Sequence, residues 1–318
     1  MASTQPPSRG TKRPGEPLVG NNRIKSLYKP ELVSIFIRVD TGRKKGRKAV
    51  EEDVEYQVPR GLIRGMSEYF DKAFDDTFVE GKTGKIVLDD VKPWVFECFI
   101  GWMYTQKVFW EHEDGPTEQG NVKHQPTVDR QTTNGHNNTV TNEALLDPVA
   151  WQWANLFELY IFADKYDTRR LRTKVIELVQ VKSFLVKPTR YLRPNEFDHA
   201  TVYNSLPDSS GLSKFMVDLR VYLTVPPRSD AEYDGTLPPR ILYRLMSQAT
   251  QLARCFRCAN CTTGQPCDCP SHCDIKTTKA PYVDNLCAYH EHETEEEKKT
   301  CIQSWVQLRN EREIVIAV

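Results

Sequence analysis

Eight of the nine cysteines fall between Cys255 and Cys301. The run RCFRCANC gives Cys255-x2-Cys258-x2-Cys261, QPCDCPSHCD adds Cys267, Cys269, His272 and Cys273, and CAYHEH supplies Cys287, His290 and His292. Thiolate sulfur and imidazole nitrogen are the donors that zinc takes in fours, usually as two short-spaced pairs joined by a longer loop. Cys258-x2-Cys261 with Cys287-x2-His290, separated by 25 residues, fits that rule, and His292 and Cys301 are substitutes for any of the four. Other pairings fit the spacing equally well, and a loose cysteine-rich loop with free thiols is the competing reading. Four protein ligands would close the coordination sphere and leave no place for a substrate water, so any zinc here is expected to be structural.

Other chemistry finds less support. There is no Gly-x-Ser-x-Gly elbow, no Walker-type glycine loop and no Gly-x-Gly-x-x-Gly after a strand, so the chain reads as a non-enzyme. Cys98 lies inside the hydrophobic run PWVFECFIGWMYT, where a thiol packs as a small apolar group rather than reacting. Arg43, Lys44, Lys45, Arg47 and Lys48 form a basic tip without interleaved aromatics and read as a solvated turn. His112, His124 and His136 are scattered through polar sequence without metal-type spacing, and the sequon at Asn137 is expected to be silent.

The elements that position these groups follow from periodicity. The 43 basic and 43 acidic residues cancel, which argues against nucleic acid or an anionic membrane as partner. No apolar run is long enough to span a bilayer and the first residues are not a secretory signal, so the protein is expected in the cytoplasm or nucleus, where cysteines stay reduced. Residues 1–30 read as a disordered arm. VSIFIRV (33–39) and VEYQV (54–58) read as a β-hairpin, and KIVLDDV as a third strand. GLIRGMSEYFDKAF sets Leu62, Met66, Tyr69, Phe70 and Phe74 on one helical stripe, and PWVFECFIGWMYTQKV does the same with Phe96, Phe99, Ile100 and Met103 after Pro93. The stretch 111–143 is polar and reads as a disordered insertion. Helical periodicity resumes in WANLFELYIFADKYD and TRRLRTKVIELVQV, the latter N-capped by Thr168 or Asp167.

That order of strands and helices, and the residues themselves, resemble the BTB/POZ domain, its fungal members in particular. The matching residues are Leu62, Ser67, Tyr69 and Phe70; then Asp90, Pro93, Phe96, Trp102, Tyr104 and Thr105; then Ala163, Asp164, Lys165, Tyr166 and Leu171. Two positions depart from the family: a His-Lys pair entering the first helix is Pro59-Arg60 here, and an Asp on the first strand gives way to Val33-Ser34. These often line the charged groove at the dimer interface of related domains. VYNSLPDSSGLSKFMVDLRVYL resembles the segment that fungal members place after the domain, and Cys287, Tyr289, His290 and His292 match a Cys-x-Tyr-His-x-His element found near their C-termini.

The resemblance implies an α+β fold in which a small three-stranded sheet is capped by helical hairpins, over residues 31–181, followed by a mostly helical, Cys-rich region over 182–318 with its Cys/His cluster at 255–301. It also implies a protein-interaction scaffold that associates with itself and recruits other proteins, with a cullin, as ubiquitin-ligase scaffold, among the candidates. The alternative is a zinc-stabilised regulator of transcription or chromatin. The fixed Cys-Cys-to-His-His spacing of the usual zinc finger is not found here.

Overall fold

The computed structural model of the chain describes residues 31–45, 48–110, 146–185, 194, 196–223, 237–256 and 287–311. The expected arm, the polar insertion at 111–143, and Cys258 and Cys261 all lie outside these residues.

Alternating Val33, Ile35 and Ile37 turn one face of a strand into the core, and β-branched side chains suit that half-buried pleat. This strand, β1 (Leu32–Lys45), pairs antiparallel with β2 (Lys48–Pro59), with Ile35 opposite Tyr56 and Ile37 opposite Val54. The next residues form α1 (Arg60–Met66) and α2 (Glu68–Ala73). The stripe expected to run as one helix therefore breaks at Ser67, whose backbone is extended at φ −142°. Ser67 Oγ accepts the Phe70 N–H at 3.1 Å, capping α2, and donates to the Tyr166 carbonyl far along the chain. The break rotates Tyr69 toward solvent, while Phe70 and Phe74 stay fully buried.

A short α3 (Val79–Thr83) ends at Gly84, whose φ of +65° favours glycine, and opens into β3 (Lys85–Leu88). β3 lies parallel to β1 on the side away from β2, giving the order β2-β1-β3. Pro93 starts α4 (Pro93–Thr105), where Trp94, Phe96, Phe99, Trp102 and Met103 are buried, Ile100 is half-buried, and Cys98 packs as a buried thiol. After a single 3₁₀ turn at Pro148–Ala150 come α5 (Trp153–Lys165) and α6 (Arg169–Leu185), which pack as a hairpin. The turn between them holds Asp167 at φ +45°, and the Thr168 hydroxyl donates to the Ala163 carbonyl at 3.1 Å.

The C-terminal region is helical, with α7 (Glu196–Ser205), α8 (Gly211–Leu223), α9 (Pro239–Phe256) and α10 (Glu295–Glu311). The fold is α+β. Its core is continuous from Ile35 through Phe99, Phe162 and Val179 to Phe215, Ile241 and Trp305, so the C-terminal helices share the interior of the sheet and hairpins. No described helix is long and apolar enough to cross a membrane.

Candidate metal centre

The turn Cys287–Tyr289, closed by the His290 N–H on the Cys287 carbonyl, lies over the start of α8. Its Tyr289 is the anchor: the ring meets Phe215 edge-on at 5.3 Å, and the hydroxyl donates to Asp218 Oδ2 at 2.6 Å. Approach is so close that a Cβ on Gly211 would stand 2.0 Å from the Tyr289 carbonyl oxygen, so only glycine fits there. Burial pushes the Asp218 carboxyl above its ordinary range, and the Tyr289 hydrogen bond pulls the other way.

A few residues on, Thr294 begins α10. Its hydroxyl accepts the Glu297 N–H at 3.1 Å, while the Glu297 carboxylate accepts the Glu293 N–H at 2.9 Å. This reciprocal cap follows from Thr-x-x-Glu, a helix-start signal legible in the sequence. It sets Cys301 two turns into α10, buried and facing the turn that carries His290.

Cys287, His290, His292 and Cys301 thereby come together, with their ligand atoms all within 4.8 Å of one another. Among the described residues this is the one group of histidine, cysteine or acidic side chains able to hold a metal ion. His290 Nδ1 is 3.0 Å from Cys301 Sγ, and its Nε2 is 3.1 Å from Gln180 Oε1 on α6. The Cys301 thiol is 3.7 Å from Glu177 Oε1, whose other oxygen pairs with Lys174 at 2.9 Å. His292 Nε2 is buried without a hydrogen-bond partner. Burial lowers the His290 pKa to about 3, keeping the imidazole neutral, and raises both thiols above their ordinary values, Cys301 further because Glu177 is beside it.

Of the residues expected to ligate, Cys287 and His290 are thus joined by both named substitutes, His292 and Cys301. Two ion-pair clusters tie the same segment to α6. Arg169 contacts Glu293 at 2.9 Å and Glu297 at 3.1 Å, and Arg172 contacts Glu291 at 2.7 Å and Asp167 at 3.1 Å. Sequence reasoning missed Gln180, Glu177 and both arginines, because their link to the cluster is made only in three dimensions.

The sheet and the first helices leave apolar side chains in water. Phe78 and Val79 at α3, Val87 on β3 and Tyr104 on α4 are exposed, with Val79 at 71 %. The family model of the BTB/POZ domain matches residues 49–120, which contain all four. The chain carries a BTB/POZ domain. No curated protein matches the chain closely.

BTB/POZ domains are generally interaction modules rather than enzymes, which suggests a protein-interaction scaffold. The positions that depart from the family pattern are occupied by internal contacts. Arg60 pairs with Glu31 and Asp76, both at 2.6 Å, and donates to the Phe74 carbonyl. Val33 is buried in the core, and Ser34 donates to Glu55 at 2.7 Å.

Proposed function

We propose that this protein is a non-enzymatic scaffold of the fungal type, in the cytoplasm or nucleus, that associates with itself through a BTB/POZ domain spanning residues 31–181 and recruits other proteins. The match over residues 49–120 carries this reading. The wider boundary is supported by β1, which pairs with both β2 and β3 and so completes the sheet of the matched segment. Exposed Phe78, Val79, Val87 and Tyr104, all within the matched segment, are the apolar side chains available to a protein partner there.

Light scattering after size exclusion on the full chain tests self-association. A mass of at least two chains at tens of micromolar is expected, and a strict monomer would sink the scaffold-by-self-association reading. The adaptor role, with a cullin as partner, is tested by pulldown with a cullin fragment. Capture that is lost in Val79→Asp supports it, and no capture by the wild-type chain removes it.

A second reading, a zinc-stabilised regulator of transcription or chromatin, draws on the Cys/His group alone. The surroundings of that group do not favour it: the cations beside it, Arg169, Arg172 and Lys174, are already paired with Glu291, Glu293, Glu297 and Glu177, which weakens their pull on a phosphate backbone. Binding to DNA that weakens steeply with salt would restore this reading.

A further inference from the structure

We propose that Cys287, His290, His292 and Cys301 bind one zinc ion, and that the ion ties the C-terminal helix α10 to the turn over α8, with Gln180 of α6 behind His290.

The donor set comes first. Tetrahedral zinc with bond lengths of about 2.0–2.3 Å places its ligand atoms about 3.3–3.8 Å apart. Four donors already within 4.8 Å of one another need to move by roughly a bond's fraction to meet that geometry. Two thiolates and two neutral imidazoles cancel the charge of the ion, which suits a buried position.

The hydrogen bonds assign the atoms. His290 presents Nε2 to the Gln180 side-chain oxygen, an acceptor, so Nε2 carries the hydrogen and the bare Nδ1 faces Cys301. His290 therefore ligates through Nδ1, and Gln180 is the positioning residue behind it. His292 contributes Nε2, the buried nitrogen that has no hydrogen-bond partner. A buried polar atom without a partner is costly, and coordination would satisfy it. On binding, the two thiols release two protons and the sulfurs form the two zinc bonds, with no change of oxidation state.

The consequence is a cross-link within residues 287–301, between the turn and α10. Cys287, His290 and His292 enter from the turn over α8, Cys301 enters from α10, and Gln180 holds His290 against α6. With all four positions filled by protein, the site is closed to substrate and its role is to hold these elements together.

The test uses the full chain purified without chelator. Elemental analysis should give zinc, and Cys287→Ser, Cys301→Ser and His292→Ala should each lose one equivalent. The pair Cys258→Ser with Cys261→Ser should keep that equivalent. Zinc content unchanged in the first three variants, or lost only in the Cys258/Cys261 pair, overturns the proposal. A readout that needs no variant is cobalt substitution of the wild-type chain. The visible bands of a tetrahedral site with two thiolates and two nitrogens are expected, and either a four-thiolate spectrum or the pale spectrum of an octahedral ion overturns the assignment. Gln180→Ala is expected to keep the tetrahedral bands while weakening zinc retention against a competing chelator about 10-fold or more. Retention equal to wild type would remove Gln180 from its positioning role.

Discussion

Ser67 shows how one side chain can decide where an element ends. Its hydroxyl serves the α2 N-terminus and the Tyr166 carbonyl together, inside a buried site, so Ser67→Ala removes a cap and leaves a buried carbonyl short of a donor. A loss of about 1–3 kcal/mol is expected in urea unfolding followed by circular dichroism. His199 makes the corresponding case for pH. It is buried on α7, its Nδ1 has no hydrogen-bond partner, and burial lowers its pKa from 6.5 to about 3, with Arg220 adding to the effect. The unfolded chain takes up a proton as pH falls below 6.5 and the folded chain does not, so stability drops progressively from pH 6.5 toward about 3. His199→Gln should flatten that part of a stability-against-pH curve, and an unchanged slope would show that other groups govern it.

At the scale of elements, α6 is the beam on which both halves rest. Leu171, Val175 and Val179 are fully buried, while Arg169 and Arg172 hold the segment that carries the Cys/His group. Exposed ion pairs contribute little, but Arg172 is only 12 % exposed and makes charged contacts to Glu291, Asp167 and Asp164. Arg172→Ala is expected to speed hydrogen exchange in residues 287–311 several-fold while leaving β1 and α4 protected, as measured by mass spectrometry of peptides. Uniform loss of protection across the chain would mean that Arg172 supports the whole core instead. Thr294→Ala acts on α10 alone and should lower helix stability by about 1 kcal/mol, seen as faster exchange confined to its first turn.

For the whole molecule, the continuous core and the exposed apolar residues make separable predictions. Trp102 is buried among Phe99 and its neighbours, so Trp102→Ala should cost about 3–5 kcal/mol and lower the melting temperature strongly. Val79 is in water, so Val79→Asp should leave the melting temperature within a degree or two while changing association or partner binding. Because α7 to α10 share the core of the sheet and hairpins, thermal unfolding of the full chain should show one cooperative transition by calorimetry, not two.

Much of this was readable from residue patterns. Strand alternation at Val33, Ile35 and Ile37, the i, i+3, i+7 spacing of Phe96, Phe99 and Met103, and Pro93 at a helix start are local signals, because each is set by backbone geometry and burial on one face. The kind of donor was legible too, since donor type is a property of the residue. Tertiary structure decided the rest. The break at Ser67 exists because the Tyr166 carbonyl lies beside it, and Cys301 joins Cys287, His290 and His292 because the Thr294 cap and the Arg169 and Arg172 ion pairs turn α10 back onto α6. Spacing along a chain ranks candidate ligands equally until packing sets the distances between them, and those distances are fixed by contacts made across more than a hundred residues of sequence.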